Sequence, residues 1–410
     1  MAAGQLDTDM EQGRSPADIF VVFLRLGLTS FGGPVAHLGY FRDEFVRRRQ
    51  WLDEAGYADL VALCQFLPGP ASSQVGFSIG ILRGNGLLGG LAAWASFTLP
   101  SALLLFAFAL GAASLGGPLA QGIVHGLKLV AVSVVAQALW GMARSLTPDL
   151  PRAAIALAAI AVLLLAGGSF GQIAAIAMGA VAGLLICRDG PSPSGGHLAF
   201  PVRRSSAVMA FLLFGVLFVL PPLAAAATDS QALRVFDAFY RSGALVFGGG
   251  HVVLPLLQGQ VVTPGWVSPE AFLAGYGAAQ AVPGPLFTFA AYLGAISGPQ
   301  PNGFAGAAIA LAAVFLPGLL LVYGTLPFWD RVRNLPQAQA AMRGANAAVV
   351  GILAAAFYNP VWVSAVHTAF DFGLALSGFL LLIVLKTPPW IVVLLLAACG
   401  AAAGIMGGGV

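Results

Sequence analysis

The sequence predicts an all-α polytopic membrane protein made of two homologous halves in inverted topology, with broken or re-entrant helices in each half. Three observations carry that prediction: the composition, an internal repeat, and a charge pattern that reverses between the halves. Of 410 residues, 59% are hydrophobic and 9% are charged. A soluble domain carries about 25% charged residues, so this chain cannot cover a water-facing surface and belongs in a bilayer. Residues 1–16 are polar and mixed in charge, lack the apolar core of a signal peptide, and read as a disordered cytoplasmic tail. Cys64, Cys187 and Cys399 lie far apart with no CxxC pair. No metal, cofactor or redox centre is expected from them.

The repeat is visible by eye. "FLRLGLTSFGGPVAH" from Phe23 aligns with "FYRSGALVFGGGHVV" from Phe239, and "WLDEAGYADLVALCQFLPGP" from Trp51 with "WVSPEAFLAGYGAAQAVPGP" from Trp266. "FTLPSALLL" from Phe97 matches "VFLPGLLLV" from Val314, and "HGLKLVAVSVVAQAL" from His125 matches "RGANAAVVGILAAAF" from Arg343. The offset holds at about 216 residues. The chain therefore divides into an N-terminal membrane repeat, 17–187, a Pro/Gly/Ser-rich cytoplasmic linker, 188–204, an unpaired helix, 205–230, and a C-terminal membrane repeat, 231–410.

Basic residues orient membrane segments. The loop after the first glycine stretch carries Arg42, Arg47, Arg48 and Arg49, whereas its counterpart "LLQGQVVTPGW" carries none. The bias then reverses: residues 112–126 hold no Lys or Arg, whereas their counterpart holds Arg331, Arg333 and Arg343. The second half is upside down relative to the first, and the lone helix 205–230 inverts it. Inverted repeats characterise secondary transporters. An enzyme gives no reason for them.

Crossing arithmetic singles out the PGP segments. Two apolar stretches lie between the Arg-rich loop and residues 112–126, yet the sides differ, so one stretch does not cross. Proline breaks the helical ladder and disfavours helix before it, which makes Pro68–Pro70 the tip of a re-entrant hairpin and Pro283–Pro285 its inverted copy. The glycine stretches read as similar half-length elements. Full spanning of all four would give about thirteen helices.

Broken backbone at membrane depth survives only where it is buried or lines a polar cavity, and paired helix N-termini make a cradle for an anion. The candidate binding residues are accordingly Gly32, Gly33, Pro34, Gln65, Pro68, Gly69, Pro70, Ser72 and Ser73 in the first half. In the second half they are Gly248, Gly249, His251, Gln280, Pro283, Gly284, Pro285 and Thr288. The intramembrane charges Arg25, Lys128, Arg241 and Asp59 are candidate pathway groups, with Asp59 a candidate proton carrier. Plainer readings stand beside these: PGP as a simple kink, the glycines as a packing patch, Arg25 and Arg241 as snorkelling residues, and His37 and His251 as partners of a backbone carbonyl. Asp53 and Glu54 read as helix-start charges, and His125, His197 and His367 as loop residues.

The block "FGGPVAHLGYFRDEFVRRRQWLDEAGYADLVALCQFLPGPASSQVGFSIG" resembles the first half of the chromate ion transporter (CHR) family, long-chain two-domain type. "FGGGH" and "AVPGP" resemble its second half, and the likeness runs from Asp18 onward. The resemblance implies chromate efflux across the inner membrane by a multi-pass protein, with chromate resistance as the outcome and sulfate as a competing substrate. It places the functional weight on Phe31–Pro34 and Pro68–Pro70. Expected partners are a chromate or sulfate oxyanion and the lipid bilayer, with a homodimer left open and nucleic acid not expected. No GxxxxGK[ST] loop is present, so ATP is not called for. An anion channel using the same cradle is the alternative from a second class. No flavin, haem or cysteine signature supports a chromate-reducing enzyme.

Overall fold

The structure, a computed structural model, describes residues 15–114, 117–166, 168–187, 198, 200–333 and 335–406. Residues 1–14 of the expected tail, and 188–197 and 199 of the expected linker, including His197, lie outside the described residues. Every regular element described is helical. The first half contributes α1 (Pro16–Thr29), α2 (Gly33–Arg42), α3 (Glu54–Phe66), α4 (Ala71–Arg83), α5 (Leu87–Ser114), α6 (Gly117–Leu146), α7 (Leu150–Ala166) and α8 (Gly168–Ile186). After the unpaired α9 (Arg204–Thr228), the same series returns. It comprises α10 (Gln231–Ala244), α11 (Val253–Val261), α12 (Pro269–Ala279), α13 (Phe289–Ile296), α14 (Gly303–Thr325), α15 (Pro336–Ala356), α16 (Ala369–Ile383) and α17 (Pro389–Ile405).

Local chemistry explains the short helices. Ser15 and Asp18 form a reciprocal capping box at α1, with Pro16 in the first turn. The Asp53 carboxylate accepts from the Gly56 amide at 2.9 Å and starts α3, as expected for a helix-start charge. Ser268, its repeat equivalent, accepts from Ala271 at 3.2 Å and starts α12. Prolines and left-handed glycines then end each helix early. A helix of 13 residues such as α3 is about 20 Å long, short of the ~30 Å hydrocarbon core.

These short helices are re-entrant hairpins. Arg83 at the end of α4 donates Nε to the Trp51 carbonyl before α3, at 3.0 Å, so the α3–α4 hairpin ends at the level where it began. The second half repeats the closure at the equivalent residues, Gly298 N–H donating to the Trp266 carbonyl at 2.9 Å. The α1–α2 hairpin returns to the same level. Arg42 pairs with Glu54, and Gly84 lies against Ile19 near the start of α1. Between the hairpins the hook Asp43–Arg48 is held by Glu44, which accepts from Arg49 at 2.6 Å and Arg48 at 2.9 Å.

The halves are inverted. Helices α6 and α15 are repeat equivalents, yet they run antiparallel. Gly248 lies beside Met142 and Leu146 late in α6 and beside Asn346 midway along α15, while Lys128 early in α6 donates to the Ser364 carbonyl beyond α15. The Arg-bearing loops gather on one face. Arg333 of the second half meets Asp59 of the first, Arg343 donates to the Cys187 carbonyl at 2.9 Å, and Leu198 packs on Gly56.

Packing sorts the helices into two bundles, each drawn from both halves. A core bundle holds α1–α5 and α9–α14, with α1 on α5, α10 on α14, and α4 and α13 crossing onto α14 and α5. A scaffold bundle holds α6–α8 and α15–α17. Within it the terminal hairpins are exchanged: α7–α8 packs on α15 of the other half, and α16–α17 on α6. Small residues allow the close approach. Gly122 and Gly126 meet Gly400 and Leu396, and Gly183 meets Ala340 and Gly344, backbone to backbone. Five helical stretches, those beginning at Leu87, Gly117, Arg204, Gly303 and Pro336, are long and apolar enough to cross a membrane. Exposed Met209, Leu212, Val219 and Leu223 mark the apolar surface of α9.

Two expectations need correction. His125 is not in a loop. It is buried in α6, with Nε2 2.7 Å from Asp371 Oδ1 of α16, because the exchanged hairpin brings that carboxylate to it. Gln65 does not reach into the α3–α4 turn. It is exposed, because the face of α3 that carries it is left uncovered. His367 does lie in a loop, before α16.

Candidate functional site: four helix breaks that meet

Each hairpin turns at a glycine in the left-handed region. Gly32 has φ +102° and Gly33 +75°, Gly69 +122°, Gly248 +75° and Gly249 +139°, and Gly284 +98°. All four tips meet in the core bundle. The Gly69 amide donates to the Val246 carbonyl at 2.7 Å, and the Gly284 amide donates to the Ser30 carbonyl at 2.9 Å. Ser30 and Val246 are repeat equivalents, each one residue before a Phe-Gly-Gly turn, so each PGP turn is tied to the opposite half's glycine turn. The glycine turns touch in their turn, since a Cβ at Gly250 would lie 3.0 Å from Pro34 Cγ. The helix prolines complete the frame. Gly318, just after Pro317 of α14, lies against Gly69, and Ser101, just after Pro100 of α5, lies against Gly284.

The first-half turn is the more polar. His37 is buried, with Nε2 3.2 Å from the Ser30 carbonyl and Nδ1 3.4 Å from the Ser72 hydroxyl. A neutral ring that donates from Nε2 to that carbonyl leaves Nδ1 free to accept from Ser72. Gln74, not Gln65, enters the turn: its Nε2 donates to the Pro68 carbonyl at 2.9 Å and to the Gly318 carbonyl at 3.0 Å. Ser30 Oγ, Ser73 Oγ, Gln74 Oε1 and Thr98 Oγ1 are buried without a partner among the described residues. Such groups cost roughly 1–3 kcal/mol each when left unmet. In the second half, Thr288 donates to the Pro285 carbonyl at 2.7 Å and His251 Nδ1 lies 2.6 Å from the Tyr276 hydroxyl. Gln280 is half-buried, and its amide reaches only 3.5 Å from the Tyr276 carbonyl.

The glycine turns border open space. A Cβ at Gly33 or Gly249 would meet nothing within 4 Å, and Gly32 and Gly249 are exposed. The amides of Gly32, Gly33, Gly248 and Gly249 donate to no protein acceptor among the described residues. The cluster therefore presents unbonded N–H groups at the starts of helices, with neutral hydroxyl and amide side chains behind them. That donor set suits a tetrahedral oxyanion.

The charged candidates stand apart from the tips. Asp59 accepts from Arg333 at 2.8 Å and from Trp329 Nε1 at 3.0 Å, and both it and Arg333 are buried. Arg241 donates to Asp237 at 2.7 Å and stacks over Phe218, its guanidinium carbon 4.7 Å from the ring centre. Lys128 is half-buried and donates to Ser364. Arg25 is exposed and lines a cavity of about 230 Å³ on the Arg-rich face, with Thr29, Tyr40, Asp43, Glu44 and Arg48. Sequence reasoning passed over Asn346, the repeat equivalent of Lys128, which faces Gly248. Its buried Oδ1 has no partner among the described residues. The repeat alignment carried the only signal for it.

The family described as "Chromate transporter" matches residues 17–184 and again 233–402, once in each half. A "Chromate transport protein" of Pseudomonas aeruginosa is 29% identical over 366 residues, 85% of this chain and 81% of the relative. Another of the same description, from Cupriavidus metallidurans, is 27% identical over 90% of this chain and 87% of its own length. An "Uncharacterized transporter" of Bacillus subtilis, 31% identical, aligns over 32% of this chain but 70% of itself, on the scale of a single half. No solved structure matches the chain. A family match that recurs in both halves and spans most of the chain makes this protein a member of the chromate transporter family.

Proposed function

We propose that the chain is a secondary transporter that exports chromate across the inner membrane, with the oxyanion held where the four helix breaks meet. The observation that carries this reading is the reciprocal bonding of Gly69 to Val246 and Gly284 to Ser30, which gathers four turns at one place, the two glycine turns among them with unbonded amides. A neutral set of donors holds a dianion without trapping it, as release requires. The Arg-rich face is cytoplasmic by the charge rule for membrane loops.

Energetics favour the outward direction. A unit charge crossing 100 mV exchanges about 2.3 kcal/mol, so a dianion leaving a negative interior gains about 4.6 kcal/mol, roughly a thousandfold in accumulation. Uptake of labelled chromate into inside-out vesicles tests the reading, with sulfate and molybdate as competitors. Saturable, counter-exchangeable uptake supports a carrier. Non-saturable flux points to a channel, and stronger competition by sulfate than by chromate itself moves the substrate to sulfate.

A further inference from the structure

The two halves share one sequence plan but not one packing. Helix α12 is buried from Phe272 to Ala279 and lies on α6 of the scaffold bundle, where a Cβ at Gly277 would run into the Leu127 carbonyl. Its equivalent, α3, has no comparable packing on α15, the equivalent of α6. The positions on α3 that correspond to buried Leu273, Tyr276 and Gly277 and half-buried Gln280 are Ala58, Val61, Ala62 and Gln65. They form one helical stripe, and it is exposed at both ends and half-buried between.

The neighbouring hairpin repeats the difference. Helix α11 is buried from Val253 to Leu257 and packs on α8 and α15, with Gln172 Nε2 donating to the Pro255 carbonyl at 2.8 Å. On α2 the residues equivalent to Pro255 and Leu256 are Gly39 and Tyr40, and both are exposed. The second-half hairpins are thus docked on the scaffold, whereas the first-half hairpins reach it at Phe31, whose ring centre lies 6.3 Å from that of Trp390. The uncovered faces run from the tips toward the Arg-rich face.

From this asymmetry we propose that the chain stands open to the Arg-rich face, and that transport exchanges the packing between its halves. The core bundle, which carries the meeting point of the tips, shifts on the scaffold bundle. The α3 stripe then closes on α15 around Ala345, while α12 leaves α6 around Leu127. Each docking is available to both halves because each inherits the same helices, so two arrangements of one interface exchange in the manner of a bistable packed surface. The chain passes between the bundles three times, after α5, between α8 and α9, and through the short segment from Trp329 to Arg333 ahead of α15. The Asp59–Arg333 bond clamps the last of these to α3.

The inference rests on the transport reading for its purpose, but its test does not need transport. With Cys64, Cys187 and Cys399 replaced by Ala, single variants Ala58→Cys and Leu273→Cys are exposed in membranes to a water-soluble thiol reagent from each face. Labelling of the first from the Arg-rich face, about tenfold or more faster than of the second from the opposite face, is expected from access alone. Equal protection of both overturns the open state. The pair Ala62→Cys/Ala345→Cys, repeat equivalents of Gly277 and Leu127, is then oxidised. A disulfide that removes cytoplasmic labelling at position 58 and reverses with dithiothreitol is expected. Absence of that cross-link in protein that still takes up chromate overturns the exchange. Wild-type vesicles that move no oxyanion would sink the transport reading and leave the labelling result to stand on its own.

Discussion

The amide of Gly69 bonds the carbonyl of Val246, and its mirror, Gly284 to Ser30, repeats the bond with the halves exchanged. Neither PGP turn is therefore a kink in a spanning helix. Each is the apex of a hairpin, and each depends on the other half for the acceptor of its one turn amide.

The turn glycines should be intolerant. Gly69→Ala puts a Cβ 3.0 Å from the Gly318 Cα and forces φ +122° on an L-residue, at about 1–3 kcal/mol of strain. Chromate uptake in vesicles should fall to background while membrane insertion persists. Gly215→Ala on α9, where a Cβ meets nothing within 4 Å, should leave uptake intact and unfolding within about 1 kcal/mol of wild type.

Gly284→Ala should be partly rescued from within the frame. The new Cβ would lie 2.8 Å from Ser101 Oγ, so Ser101→Gly, which copies Gly318 of the other half, removes the obstacle. A double-mutant cycle on thermal unfolding should show favourable coupling of about 0.5–3 kcal/mol. Simple additivity would mean that the two residues do not share the contact.

Much of this was legible beforehand, for a physical reason. The inversion and the re-entrant turns rest on local signals: which loops hold Arg42, Arg47, Arg48 and Arg49, and where Pro68 and Pro283 interrupt an apolar run. What could not be read was which face meets which. Gln65 and Gln280 look equivalent in sequence, yet one is exposed and the other half-buried, because α12 is docked and α3 is not. The pairing of His125 with Asp371 depends on hairpins exchanged between halves, and no local pattern encodes that exchange. Gln74 enters the turn through Pro68 and Gly318 carbonyls supplied by two different halves.

Asp59 distinguishes a structural pair from a proton carrier. Removing it takes one carboxylate from the buried Arg333, which keeps its pair with Asp330 at 2.8 Å. Asp59→Ala should lower unfolding stability by about 3 kcal/mol, and Asp59→Glu should recover much of it. A carrier role predicts instead that Asp59→Asn folds normally and loses only the dependence of uptake on a pH gradient.

The hook on the Arg-rich face should respond to acid. Burial opposes the Glu44 charge, but hydrogen bonds from Arg49 and Arg48 outweigh it and hold the carboxyl below its ordinary value of 4.5. A carboxyl lowered on folding contributes stability that is complete above its unfolded value and is lost as the pH falls through the folded one. The protection of the Trp51 and Leu52 amides, which bond the Phe45 carbonyl, should therefore fall below about pH 4.5, by up to about fivefold once the intrinsic pH dependence of amide exchange is divided out. Glu44→Gln should remove the pH dependence.

The central claim is that both halves build one oxyanion site. Equilibrium binding of labelled chromate to the purified full-length chain tests it most directly. One chromate per chain, lost alike in Gly69→Ala and in Gly284→Ala, is the predicted result. Two chromates per chain, or one that survives alteration of either turn, would contradict it.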